Sequence, residues 1–149
     1  MKPEENQVEN VKEVEVPKKE KEKFLEDLVF KGYTTYGKKI FDGKVEVLFK
    51  SLTAKEQLDI EDKIPSMKGS AAKVMHFYSL LLISYSLIKY GDTNLKDKSY
   101  EEKLEFVENL PSVVLDKLVF IYNEFIKKVQ AVTNGEVIEE VFFETEPTS

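Results

Sequence analysis

The chain has no cysteine, no arginine and a single histidine, His76. Without cysteine there is no disulfide framework, no thiolate metal site and no thiol nucleophile. One imidazole builds no catalytic triad, and zinc needs several nitrogen or sulfur ligands where this chain offers one. A lone histidine inside an apolar run reads as a satisfied core or edge residue. All 22 basic residues are lysine, so the planar fork that usually grips phosphate and guanine is missing. Combined with a formal net charge of −6, this argues against a nucleic-acid partner. The six glycines form neither a phosphate loop nor a dinucleotide fingerprint. The N-terminus is too charged for a signal peptide. No cofactor is implied, and no enzyme signal rises above background.

What is present is a core. The 149 residues are one domain's worth, and 42% are hydrophobic, with 10 Phe and 7 Tyr. The organising stretch is Ala71–Tyr90, AAKVMHFYSLLLISYSLIKY, uncharged between Lys73 and Lys89 when His76 is neutral. A helix apolar nearly all round is either a core helix or a membrane span. The uncharged run falls short of the roughly 18–20 residues a bilayer demands, so the core reading holds and no membrane partner is expected. Gly91 is expected to close this helix.

Taken in order, residues 1–19 are rich in Glu, Lys, Asn and Val, lack aromatics, and read as a disordered charged arm. From Pro17 the pattern turns helical, with Phe24, Leu25, Leu28 and Val29 on one face and Gly32 as C-cap. A β-hairpin follows over 33–50. Asp42-Gly43 signals a type I′ turn, and Val45, Val47 and Phe49 alternate with polar neighbours. That turn predicts Ile40 opposite Val45 and Lys39 opposite Glu46. Thr53-Ala-Lys-Glu56 is a capping box opening a helix through about Lys63, which Pro65 ends. Ser99-Tyr-Glu-Glu102 is a second capping box, followed by the inner stripe Tyr100, Leu104 and Val107. Pro111 opens the last long helix. There Val114, Leu118, Ile121, Tyr122, Phe125, Val129 and Val132 share the inner side, and Asn134-Gly135 is expected to stop it.

The expected fold is therefore α+β, mostly α. One β-hairpin packs on a bundle of about five helices around the central apolar helix, in a single domain over 20–135. An acidic-hydrophobic tail over 136–149 follows.

Chemistry is sparse elsewhere too. Asp92-Thr-Asn94 invites comparison with a calcium loop and fails it. Lys96 and Lys98 stand at ligand positions, Asp97 where Gly is needed, and Lys103 where a bidentate Glu belongs. Glu101, Glu102, Glu105 and Glu108 read as a solvated face near a helix N-terminus. No catalytic, cofactor-binding or metal-binding residue is assigned. The residues that stand out are apolar ones without an evident home. Val113 and Phe120 point from the charged side of the last helix. Val137, Ile138, Val141, Phe142 and Phe143 lie among five glutamates in the tail. Gathered apolar groups mark a partner-binding site. The competing expectation is that the tail folds back and covers Phe120.

The order of parts resembles the tail assembly chaperones of long-tailed bacteriophages. The likeness is carried by GKKIFDGKVEVLFKSLTAKEQ, where the second strand runs through a Ser-Leu-Thr step into a capped acidic helix. The mid-chain apolar helix and the later Leu110-Pro111 step extend it over about Gly32 to Val132. The resemblance implies a non-enzymatic protein of the host cytoplasm, active during virion assembly. It would bind the hydrophobic tape measure protein and help recruit tail tube protein subunits. It carries no catalytic residues over, and it leaves homo-oligomerisation open. Two other readings stand beside it: a small structural protein of a phage tail or baseplate, and an unrelated helical adaptor.

Overall fold

The computed structural model describes residues 16–64 and 68–145, with side chains from 136 onward excepted. It is α+β and mostly α. Among the described residues five helices, α1 Lys18–Phe30, α2 Ala54–Lys63, α3 Ala71–Ser86, α4 Tyr100–Glu108 and α5 Ser112–Thr145, accompany an antiparallel sheet. Its strands are β1 Thr35–Ile40, β2 Val45–Lys50, β3 Leu87–Tyr90 and β4 Thr93–Asn94, in that spatial order. The expected arm lies outside the described residues as far as residue 15.

The local signals in the first half act as the sequence predicts. α1 begins one residue after Pro17, and Gly32 closes it with a left-handed backbone (φ +86°) and its N–H on the Asp27 carbonyl. Its buried face is narrower than expected: Phe24 is buried and Leu25 and Leu28 are half-buried, but Val29, about 140° round the helix from Phe24, is exposed. In the hairpin, the Lys44 N–H donates to the Phe41 carbonyl across Asp42 (φ +58°) and Gly43 (φ +79°), which is type I′ geometry. The register follows: Ile40 faces Val45 and Lys39 faces Glu46. Both capping boxes form, at Thr53/Glu56 and Ser99/Glu102.

The central helix is shorter than expected. α3 ends at Ser86, and Leu87–Tyr90 is a strand against β2, not helix. Val47 and Phe49 are fully buried, so the β2 backbone must find partners along both edges. β1 serves one edge; only an extended chain can serve the other. The hydroxyls of Ser84 and Ser86 bond back to the carbonyls of Leu80 and Leu82 at 2.7 and 2.8 Å, a habit that weakens a helix end. Gly91 (φ +58°) sits in the turn from β3 to β4 and does not cap a helix. Only the second half of α3 is core: Leu81 and Ile83 are fully buried, while residues from Ala71 to Lys73, with Met75 and His76, are exposed.

The last helix differs in the opposite sense. α5 passes through Asn134-Gly135 and runs 34 residues to Thr145. A glycine stops a helix when it turns left-handed, and Gly135 does not. In helical conformation it costs only about 1 kcal/mol against alanine, and no proline follows until Pro147. On the inner side, Leu118, Ile121, Tyr122, Phe125, Val129 and Val132 are buried as expected, joined by Leu115. α1 and α3 both pack on α5, and α2 and α4 pack on α3.

A polar latch ties α1 to the hairpin. Asp27 accepts from Lys23 Nζ at 2.9 Å and from Thr34 Oγ1 at 2.8 Å, with Lys31 Nζ 3.4 Å from its other oxygen. The buried Thr34 N–H donates to Ser51 Oγ, and the Ser51 N–H returns to the Thr34 carbonyl. Burial alone would raise the Asp27 carboxyl, but the bonds from Lys23 and Thr34 outweigh it and hold it below its ordinary value of 3.8. A depressed folded pKa contributes stability above the unfolded value and loses it as pH falls through the folded one. Asp27→Asn should therefore cost about 1–2 kcal/mol near neutral pH, with the gap to wild type closing in denaturation curves recorded below the ordinary aspartate range. A constant gap across pH would show that the carboxylate charge is not what holds the latch. In the core, Leu81→Asp should abolish the cooperative thermal transition, since an unpaired buried charge costs several kcal/mol against a total of about 5–15.

Candidate functional site

Positions 113, 117 and 120 of a helix lie on one face. In α5 that face looks away from the core. Val113 is 72% exposed and Phe120 57% exposed, as the sequence predicts, while Leu118 and Ile121 beside them are buried. The hairpin brings a third apolar group to the same place. Its tip reaches the start of α5, and Phe41 and Val113 together line a cleft of about 660 Å³. Lys38, Lys39 and Lys117 line it as well, against one acid, Asp42. Lys117 Nζ lies 5.7 Å from the centroid of the Phe120 ring, which joins that ring to the edge of the cleft. The surface is thus three apolar side chains framed by cations.

The five tail residues are not brought to this cleft by a fold-back. Val137, Ile138, Val141, Phe142 and Phe143 belong to the continuous backbone of α5, and their side chains lie outside the described residues. Phe41 is the member that pattern reasoning missed. Its signal was available: the residue before an Asp-Gly turn stands at the hairpin tip. Phe41 also holds a left-handed backbone, φ +54°, uncommon for a bulky side chain. Leu58, Met75, Val29 and Phe30 are further exposed apolar groups.

The polar groups are spoken for by structure. Lys50 Nζ lies 2.6 Å from Glu56 Oε1, which also accepts the Thr53 N–H at 2.9 Å. Burial would raise the Glu56 carboxyl, but these bonds win and lower it. Burial, with the neighbouring Lys50 charge, lowers the Lys103 ammonium. Burial pushes the Tyr100 phenol up to about 12 and raises that of Tyr122, so neither is poised for proton transfer near neutral pH. A second cleft, about 480 Å³, has a floor of Leu95, Phe106 and Leu110. The Glu102 carboxylate at its rim already accepts the Ser99 N–H. Among the described residues no group of His, Asp and Glu could hold a metal ion, and no helix is long and apolar enough to cross a membrane.

This arrangement can bury apolar side chains of another molecule and pair its acids. Neither a protein-family model nor a curated protein nor a solved structure matches the chain.

Exposure of this kind makes a clear stability prediction. Val113→Ser and Phe120→Ser should each change unfolding free energy by no more than about 0.5 kcal/mol. Phe41→Asn should raise it by about 0.5–1 kcal/mol, because asparagine tolerates the left-handed backbone. Urea titration of the three variants checks both; a loss above 1 kcal/mol in any of them, on the scale of an ordinary core truncation, would mean that these side chains are structural.

Proposed function

We propose that this protein is a non-enzymatic tail assembly chaperone of a long-tailed bacteriophage. It binds the hydrophobic tape measure protein in the host cytoplasm and helps recruit tail tube subunits. The observation that carries the reading is the cleft between the hairpin tip and α5, where Phe41 and Val113 stand exposed and Phe120 adjoins them. Apolar groups gathered in a charged surround mark an interaction site. The likeness of residues 37–57 and of the order of elements to that family supplies the identity of the partner.

The physical role follows from the chemistry of such a partner. A long apolar helix aggregates unless its face is covered, and an apolar cleft framed by lysines covers it without needing a reaction. The acidic balance of the whole chain keeps the complex soluble. Co-expression is the direct test. The tape measure protein should be more soluble and more resistant to protease with this chain present, and a Val113→Asp/Phe120→Asp double variant should lose the effect while remaining folded. Equal solubility and protease resistance with and without the chain would refute the chaperone reading. Mass spectrometry of purified particles separates it from a structural subunit, which would be present in fixed copy number.

A further inference from the structure

The cleft at the hairpin tip and the C-terminal end of α5 are complementary in two independent respects. The first is charge. Lys38, Lys39 and Lys117 against Asp42 leave the cleft cationic. The segment from 136 to 146 holds Glu136, Glu139, Glu140, Glu144 and Glu146 and no base. The second is apolar pattern. Because α5 remains helical to Thr145, positions 137, 138, 141 and 142 fall on one face by helical spacing, and they are Val, Ile, Val and Phe. Glu136, Glu139 and Glu140 fall on the opposite arc, with Phe143 among them. An acidic amphipathic helix is what an apolar cleft edged with lysines accepts.

Geometry decides whose helix it is. Val113 and Val137 sit on the same continuous helix, about 36 Å apart along its axis at 1.5 Å per residue. A straight helix cannot bring its own end back to its own beginning. The burial of α5 against the core, meanwhile, runs as far as Val132. We infer that the occupant is a second copy of this chain: the acidic C-terminal segment of α5 from one protomer docks in the Phe41–Val113 cleft of the next. The contact joins different surfaces, so it closes either as a two-fold dimer in which two protomers exchange segments reciprocally or, head to tail, as rings and open chains. It also competes with any partner for the same cleft.

The test uses the full-length chain alone, so its outcome is independent of any tape measure protein. Sedimentation velocity from micromolar to millimolar concentration should show reversible association that weakens at least about tenfold on raising the salt concentration to about 0.5 M. Lys38→Glu/Lys39→Glu/Lys117→Glu in one variant, and Glu136→Lys/Glu139→Lys/Glu140→Lys/Glu144→Lys in another, should each abolish self-association while keeping the wild-type melting transition. Mixing the two should restore association, because an acidic cleft then meets a basic tail and the native pair also remains. A wild-type chain monomeric throughout the range overturns the inference. So does association that neither reversal alters, or two silent variants that stay silent when mixed. In each of those cases the partner-binding reading stands or falls on co-expression alone.

Discussion

The structure depends on β2 burying the face that carries Val47 and Phe49 while pairing along both edges. Val47 and Phe49 have no exposure, and a strand so placed cannot leave backbone N–H and C=O groups to water. That requirement sets the path of the chain on either side of it. β1 lies along one edge through the type I′ turn. The other edge takes Leu87–Tyr90, which must then leave the helix that precedes it. The C-terminal end of β2 is anchored as well: Ser51 returns to Thr34, and Lys50 reaches Glu56 at the start of α2. One strand thereby places α1, α2 and α3 relative to the sheet.

α5 is fastened to that sheet by aromatic rings. Phe49 meets Tyr122 edge-on at 5.9 Å, and Tyr36 stacks on Phe125 at 5.3 Å. Phe125 in turn contacts Phe24 of α1 at 6.0 Å. Such pairs contribute about 0.5–1.5 kcal/mol each beyond their buried area, and here they share members, so helix, sheet and helix are held as one unit. Lys128 adds to it from the rim, 5.0 Å from the Tyr36 ring and 3.7 Å from a Glu20 oxygen. The middle of α5 is thereby joined to the base of the hairpin, and the hairpin tip then falls beside the start of α5.

Most of this was legible in the sequence where a short-range chemical signal decides the outcome. Asp42-Gly43 needs two left-handed residues, and the register follows from the turn alone. Thr53/Glu56 and Ser99/Glu102 satisfy helix N-termini within four residues. The inner stripe of α5 is a periodicity that any core would select. What was not legible depended on distant partners. Leu87–Tyr90 has the composition of the helix before it, and only the open edge of β2 makes it a strand. Gly91-Asp92 reads equally as a helix stop or a hairpin turn, and the choice rests on that same edge. At Asn134-Gly135 the error ran the other way, because a glycine that could adopt the left-handed state is not obliged to. Of the site, Val113 and Phe120 were found because they break a helical pattern. Phe41 was not, because its neighbour across the cleft is more than 70 positions away along the chain.

Phe41 carries the strongest argument that this surface exists for something other than stability. A bulky side chain in the left-handed region costs about 1–2 kcal/mol, and asparagine or glycine at the same position would avoid the strain. The burial that would offset the cost is incomplete, since Phe41 is 41% exposed. Val113 and Phe120 offset still less. Three apolar side chains on three different turns of structure are held out of the core, one of them against its own backbone preference, by elements that packing has made rigid. Strain of this kind points to function when the surroundings over-determine it, and here the surroundings are the type I′ turn on one side and the outer face of α5 on the other. Covering Phe41 with another molecule's apolar face would add the burial that the isolated chain lacks.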